Sequence, residues 1–102
     1  MTIDSEREMT LYTLEWYKAL KDKNDLDLNV LELLIDVEHT VNKLECSKQK
    51  DFIRTLYLTN NDIHTIEDAS SSLGYSKQWG YRLHNKAVDE ITLNLDFSSY
   101  KL

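Results

Sequence analysis

The chain contains no proline and only two glycines, Gly74 and Gly80, among its 102 residues. β-Sandwiches and β-barrels need many tight turns, which proline, glycine and asparagine normally supply. The composition therefore predicts an all-α protein. Hydrophobic residues make up 41% of the chain, which is enough for a modest core and argues against general disorder. The length fits one domain, or a small domain with a helical extension.

Disulfide partners, targeting segments and long apolar runs are also missing from the sequence. Cys46 is the single cysteine, so the chain has no internal disulfide and suits a reducing compartment. No apolar run is longer than three residues, as at Leu33-Leu34-Ile35, and such a run cannot span a membrane. The polar, acidic start resembles neither a secretory signal nor a transit peptide. We therefore expect a soluble, cytoplasmic protein with no membrane partner.

Charge is distributed unevenly along the chain, whose net charge is −6. Residues 1–45 contain 11 acidic and 5 basic residues, whereas residues 46–102 contain seven of each. The stretch 75–88 contains three cations and no acid. This division predicts an acidic N-terminal helical pair over residues 1–45, for packing or dimerisation, and a second domain over residues 46–102.

The N-terminal half shows helical spacing of its apolar residues. One face of a first helix, from about residue 4 to 21, is formed by Met9, Tyr12, Trp16, Ala19 and Leu20. A second helix, starting near Asp27 or Asn29, has alternating four- and three-residue spacing at Val30, Leu34, Val37, Val41 and Leu44. This seam covers about two heptads, so an ordinary amphipathic helix packed in its own monomer is favoured, with a homodimer seam as the alternative.

The C-terminal half predicts three more helices. Ser47 is a candidate cap for the third, whose buried face is Phe52, Ile53, Leu56 and Tyr57. Thr65 caps a short fourth helix that ends at Gly74, and Ser76 caps a fifth that runs from Lys77 to about Thr92. Residues 91–97 alternate apolar and polar residues, which predicts a short C-terminal strand or an extended arm.

A short helix, a tight turn through Gly74 and a capped second helix together form the pattern of a helix-turn-helix. The second helix of such a motif enters the major groove of double-stranded DNA. Its polar face and cap supply the candidate DNA-binding residues: Ser76, Lys77, Gln78, Tyr81, Arg82, Asn85 and Lys86. We expect Ser76, Lys77 and Lys86 to contact phosphates. Gln78, Arg82 and Asn85 are the predicted base readers.

The same segment resembles a known family. Residues 65–76, TIEDASSSLGYS, look like the eeIAeeLgyS signature of sigma-factor region 4 helix-turn-helix domains. Residues 76–87, SKQWGYRLHNKA, are similar to the S-x-x-W-x-Y-R-L-H-x-x-A run of ArpU and RinA-like phage late transcription regulators. Residues 53–58 lie at the position, before the motif, where those regulators have a similar stretch of sequence. The resemblance spans about residues 52–91 and implies a phage or prophage regulator acting in the host cytoplasm.

Two positions depart from that family pattern. Ser70 replaces a small alanine in the first helix of the motif, and Gly80 replaces a branched residue in the second. We expect Trp79 or Tyr81 to turn inward and fill the space beside Gly80, with Trp79 in the core. The alternative is that the motif no longer reads DNA.

Catalytic and metal-binding patterns are missing from the sequence. The three histidines, His39, His64 and His84, and Cys46 match no zinc-ligand spacing. The sequence also lacks a nucleophile elbow, a phosphate-binding loop and a metalloprotease motif. We therefore expect no enzyme, no cofactor and no metal.

The leading interpretation is a sequence-specific, DNA-binding transcription regulator. Three cations on the reading helix give little phosphate affinity, so DNA binding would depend on homodimerisation or on host RNA polymerase. The alternative is an interaction or inhibitor protein that uses the helix-turn-helix scaffold to bind a host protein. A structural or packaging adaptor is a third interpretation.

Overall fold

A computed structural model describes the chain over residues 3–23 and 25–95, with side chains from Ser5 onward. It contains five α-helices: α1 (Ile3–Lys21), α2 (Leu28–Asn42), α3 (Ser47–Ile53), α4 (Ile66–Leu73) and α5 (Lys77–Asn94). A π-helical turn, Arg54–Leu58, continues directly from α3. The described part of the chain has no β-strand, so the all-α prediction is confirmed.

The predicted C-terminal strand or arm is wrong over residues 91–94, whereas Leu95 is extended. Helix α5 continues to Asn94, two residues beyond the predicted end, so residues 91–94 are helical. Ile91 and Thr92 are both buried on this helix, which explains why the alternation of apolar and polar residues does not mark a strand. The remainder of the predicted strand, residues 96–97, lies outside the described residues.

The face of α1 that enters the core coincides only in part with the apolar face identified in the sequence, of which Met9 and Leu20 pack against the core. The buried residues of α1 are Thr10, Thr13, Leu14 and Tyr17. Tyr12 and Trp16 remain 64% and 48% exposed. Burial of the threonines is possible because their hydroxyls donate to carbonyls one turn earlier, Thr10 to Glu6 (3.1 Å) and Thr13 to Met9 (2.7 Å).

Helix α2 packs its predicted seam inside its own chain. Asp27 caps the helix by accepting from the Asn29 amide (2.8 Å). Leu34, Val37, Val41 and Leu44 are buried and Val30 packs against the same core. The interpretation of an amphipathic helix packed in its monomer is confirmed, and this seam is not available to a second copy.

Two apolar clusters form the core, and α5 contributes to both. The larger draws residues from α1, α2, α3 and α5, including Leu14, Val37, Ile53 and Ile91. The smaller holds the helix-turn-helix together around Phe52, Leu56, Ala69 and Leu83. Because α5 spans both clusters, its N-terminal half is held in place by α3 and α4 and its C-terminal half by α1 and α2.

The third helix begins differently from the prediction, and its last turn is wider than that of an α-helix. Ser47 is its first residue rather than its cap, and Cys46 occupies the cap position without a side-chain hydrogen bond. The end widens into the π-helical turn, where the Thr59 amide donates to the Arg54 carbonyl five residues earlier (2.8 Å). The predicted apolar residues Phe52, Ile53 and Leu56 are nevertheless buried.

Candidate nucleic-acid interface

The turn between α4 and α5 is closed by local hydrogen bonds. Gly74 adopts the left-handed conformation (φ 76°) that the sequence predicted, and a Schellman motif forms as Tyr75 donates to the Ser70 carbonyl (2.8 Å). The predicted caps are both present: Thr65 accepts from the Asp68 amide (3.1 Å) and Ser76 accepts from the Trp79 amide (3.2 Å). Only three residues, 74–76, therefore separate α4 from α5.

Ser70 of α4 and Gly80 of α5 lie against each other where the two helices meet. Both residues are buried, and a Cβ atom placed on Gly80 would lie 1.7 Å from the Ser70 hydroxyl oxygen and 3.0 Å from its Cβ. The two departures from the family pattern are therefore complementary, because the larger residue on α4 occupies the space that glycine leaves on α5.

The expected inward turn of an aromatic beside Gly80 is wrong. Trp79 is 40% exposed and Tyr81 is 38% exposed. Ser70 fills the space instead, so neither ring is needed there. Trp79 consequently adds an exposed aromatic ring to the first turn of α5, next to the predicted site.

All seven predicted DNA-binding residues are exposed, and the opposite side of α5 is buried. The exposed set is Ser76, Lys77, Gln78, Tyr81, Arg82, Asn85 and Lys86. The buried set on the same helix includes Gly80, Leu83, Ala87 and Ile91. The structure therefore brings the predicted residues together on one solvent-facing surface, which we call the α5 face.

An acidic residue of α4 contacts this face. Glu67 accepts a hydrogen bond from the Tyr81 hydroxyl (2.6 Å) and lies 3.6 Å from the Lys77 ammonium. The hydrogen bond from Tyr81, together with Lys77, lowers the pKa of Glu67, and the same hydrogen bond raises the pKa of Tyr81. Part of the positive charge at the start of α5 is therefore neutralised within the protein.

Helix α1 contacts the other end of the α5 face through Arg7. The Arg7 guanidinium donates from Nε to Asp89 (2.9 Å) and from Nη2 to the Asn85 side-chain oxygen (3.1 Å). The buried hydroxyls of Thr10 and Thr92, 2.8 Å apart, hold the two helices together one turn further along. Arg7 was not identified from the sequence, because nothing in the local pattern indicates that α1 packs beside α5.

His84 lies directly beneath Asn85 and is buried. Its Nε2 atom is hydrogen-bonded to the Tyr57 hydroxyl, and its Nδ1 atom lies 3.4 Å from the Asn85 side-chain oxygen. Burial raises the pKa of Tyr57 to about 12, so the phenol keeps its proton. Burial also lowers the pKa of His84, which favours the neutral ring. The sequence predicted Tyr57 on the buried face of the third helix but indicated no role for His84 in the fold.

Metal-ligand clusters and membrane spans are not found in the described residues. No three histidine, cysteine, aspartate or glutamate side chains there are grouped as a metal site would require. No helix over residues 3–23 and 25–95 is both long and apolar enough to cross a bilayer. Cys46 is exposed and unpaired by any disulfide.

Comparisons of the chain with known protein families, with curated proteins and with solved structures found no match.

Proposed function

We propose that the protein is a phage-type transcription regulator that binds double-stranded DNA through the α5 face. The observation that carries the proposal is the exposure of all seven predicted residues on a helix that begins at a tight, capped turn. A helix presented in this way fits a major groove, which is about 12 Å wide. The protein in this proposal has no catalytic role and no cofactor.

The residues of the α5 face differ in whether their side chains are already bound to other parts of the protein or are free to contact DNA. The side chains of Gln78, Arg82 and Lys86 make no hydrogen bond or ion pair with the described part of the chain, so they can turn toward a ligand. Arg82 suits a guanine, because its guanidinium can donate two parallel hydrogen bonds to O6 and N7. Lys86 suits a phosphate, which binds a point charge without requiring a fixed geometry.

Other residues of the same face are already engaged. Lys77 and Tyr81 contact Glu67, and Asn85 accepts from Arg7. A phosphate that binds Lys77 would have to replace its ion pair with Glu67. An exposed ion pair of this kind contributes little free energy. The Ser76 hydroxyl keeps its proton for a phosphate oxygen while its oxygen caps α5.

A capture experiment with sheared genomic DNA tests this proposal. Purified wild-type protein is compared with Arg82→Ala/Lys86→Ala at low and physiological salt. Lys43→Ala/Lys48→Ala is the matched control, because it removes the same charge from exposed positions outside the α5 face. We expect wild type and the control to enrich one sequence, and the α5 variant to lose the enrichment. Equal enrichment by all three proteins would contradict the proposal.

The affinity for the enriched site gives a sharper test of one residue. If Arg82 pairs with a guanine, Arg82→Ala should weaken binding to that site by about 1–3 kcal/mol. Unchanged affinity in Arg82→Ala would remove Arg82 from the site. Circular dichroism of the variant establishes that α5 is still folded.

A second candidate function is binding to a host protein, such as RNA polymerase, through the same face. The exposed rings of Trp79 and Tyr81 favour it, since aromatic side chains are enriched in protein interfaces. The position of Glu67 and the net charge of −6 also disfavour the binding of a polyanion such as DNA. Retention on heparin at physiological salt separates the two functions, because only the DNA-binding one predicts retention.

A further inference from the structure

A residue of α1 determines the orientation of one side chain of the α5 face. The Arg7 guanidinium donates from Nη2 to the Asn85 side chain (3.1 Å) and from Nε to Asp89 (2.9 Å). An arginine side chain carries donors and no acceptor, so the Asn85 atom that it contacts is the amide oxygen and not the nitrogen. The amide group of Asn85 is therefore held with its oxygen toward α1.

The contacts of Arg7 hold the guanidinium in place. Asn85 and Asp89 are four residues apart on α5, so they share one side of the helix and are bridged by the same planar group. The Arg7 side chain is 31% exposed. One turn further along, the hydroxyls of Thr10 and Thr92, 2.8 Å apart, join α1 to α5. Arg7 is therefore attached to α5 at two points and belongs to a helix that is itself fixed against α5.

His84 contacts the same oxygen of Asn85. Its Nδ1 atom lies 3.4 Å from that oxygen. An amide oxygen can only accept, so the hydrogen in this contact belongs to Nδ1. Burial lowers the pKa of His84, which favours the neutral ring and leaves Nε2 to accept from the Tyr57 hydroxyl. The Asn85 oxygen is thus shared by two donors of the protein, of which Arg7 is the nearer.

This arrangement restricts what Asn85 can recognise in a major groove. A free asparagine reads adenine with two hydrogen bonds, since its oxygen accepts from N6 and its nitrogen donates to N7. The oxygen of Asn85 already accepts from Arg7 and His84, which uses both of its lone pairs. The nitrogen makes no hydrogen bond with the described part of the chain. Asn85 therefore offers DNA a donor and no acceptor.

We propose that Arg7 is a positioning residue that makes Asn85 a reader of either purine rather than of adenine. The inference rests on the proposed function, because it assigns a specificity to the α5 face. Adenine and guanine both present N7 as an acceptor, so a donor alone binds both. The pyrimidines lack N7, and on their major-groove edge thymine carries a methyl group and cytosine an amino donor.

Nuclear magnetic resonance of the full chain without DNA tests the orientation. We expect the imidazole nitrogen shifts to show His84 protonated at Nδ1. Arg7→Met removes the donors and keeps an unbranched stem, so it should shift the signals of the Asn85 side-chain amide. Lys23→Met is the matched control, because it removes the same charge from an exposed position beyond the end of α1. A ring protonated at Nε2, or amide signals that do not respond to Arg7→Met, would overturn the proposal.

Base preference at the enriched DNA site tests the specificity. The position that Asn85 reads is the one whose preference disappears in Asn85→Ala. There we expect the wild type to bind adenine and guanine within about threefold of each other, because N7 is common to both. Arg7→Met frees the oxygen and should favour adenine by about fivefold or more, as a bidentate contact does. Asp89→Asn removes the charge of the ion pair and keeps an acceptor for Nε, so it should retain the wild-type preference.

The results that contradict this inference differ from those that contradict the proposed function. A wild type that prefers adenine alone, or an Asn85→Ala variant with unchanged preference at every position, would overturn the role of Asn85. Equal weakening at every base in Arg7→Met would make Arg7 a phosphate contact and overturn its positioning role. A wild type that enriches no sequence would contradict the proposed function and the purine preference together. The spectra of the free protein also establish that each variant is folded.

Discussion

At the scale of single residues, the contact between Ser70 and Gly80 determines how closely α4 and α5 approach. An alanine at Gly80 gains about 1 kcal/mol of helix propensity but meets the Ser70 side chain at 1.7 Å. We expect Gly80→Ala to lower the free energy of unfolding by about 1–3 kcal/mol, as overpacked cores do. Urea denaturation measures this change.

A second substitution, Ser70→Ala, tests whether the contact between the new methyl group and Ser70 causes the loss of stability. Ser70→Ala removes the hydroxyl oxygen that the new methyl group would meet, so adding it to Gly80→Ala should recover part of the lost stability. Gly74→Ala is the control, since its penalty comes from the positive φ and nothing lies within 4 Å of the added carbon. Ser70→Ala should not rescue it, and a rescue equal to that at Gly80 would rule out the clash.

His84 makes the folded state sensitive to pH. Burial lowers its pKa in the folded protein, whereas the unfolded chain has the ordinary value of about 6.5. Between the two values the unfolded chain binds more protons, so stability rises with pH there. The contribution of the neutral ring is therefore complete above about pH 6.5 and is lost as the pH falls below it.

Urea midpoints at pH 7.5 and pH 5.5 measure this contribution. We expect the midpoint to fall less on acidification in His84→Gln than in the wild type. His64→Gln, at an exposed position, should keep the wild-type pH dependence. Identical behaviour of all three proteins would mean that His84 is not the responsible group.

At the scale of elements, Ser76 has two separable roles at the start of α5. Its oxygen caps the helix by accepting from the Trp79 amide, and its hydroxyl is a proposed phosphate contact. Aspartate also caps helices well but repels phosphate, whereas alanine cannot cap. We expect Ser76→Ala to lose about 1 kcal/mol of stability and Ser76→Asp to retain it.

DNA affinity should follow a different order. Ser76→Asp should bind DNA more weakly than Ser76→Ala, because its carboxylate faces the phosphates. Fluorescence anisotropy with the enriched DNA site measures the affinity, and thermal denaturation measures stability. Equal DNA affinity in the two variants would remove Ser76 from the phosphate contacts.

Sequence patterns predicted most of the elements because the capping signals are local. Thr65, Gly74 and Ser76 mark their helix ends through hydrogen bonds within four residues, so each could be read without knowing the fold. The buried face of α1 could not be read in this way. Thr10 and Thr13 appear polar in the sequence, and only their hydrogen bonds to the preceding turn make them suitable for the core.

The candidate site was predictable to a similar extent. Exposure of the α5 face follows from helical periodicity alone. The contacts of Glu67, Arg7 and His84 with that face depend on which helices meet in space, and no local signal carries that information. The sequence showed that Ser70 is larger and Gly80 smaller than the residues of the resembled pattern. It did not show that these two residues lie against each other.

At the scale of the whole molecule, the small number of cations limits how strongly DNA binding can depend on salt. Lys77 and Lys86 are the cations proposed to contact phosphates, and Arg82 would add a third only if it left the bases, so one copy neutralises at most three phosphates. Each phosphate contributes about −0.9 to the slope of log K against log salt concentration, so one copy predicts a slope no steeper than about −3. A dimer that uses two α5 faces predicts about twice that value.

Fluorescence anisotropy titrations at salt concentrations from about 50 mM to about 200 mM measure this slope. We expect Arg82→Ala/Lys86→Ala to make it shallower by about 1 per bound copy, because Lys86 is proposed to contact a phosphate and Arg82 a base. Lys43→Ala/Lys48→Ala should leave it unchanged. A wild-type slope much steeper than a dimer allows would show that cations outside the α5 face also contact DNA.

The π-helical turn after α3 sets the spacing between the two halves of the molecule. Phe52 and Leu56 are four residues apart and share the smaller cluster, while Ile53 and Leu58 are five apart and share the larger one. In a regular α-helix, residues five apart point about 140° away from each other. The wider turn brings Leu58 back toward Ile53. The length of this turn, more than the identity of its residues, therefore determines whether one short helix can close two cores at once.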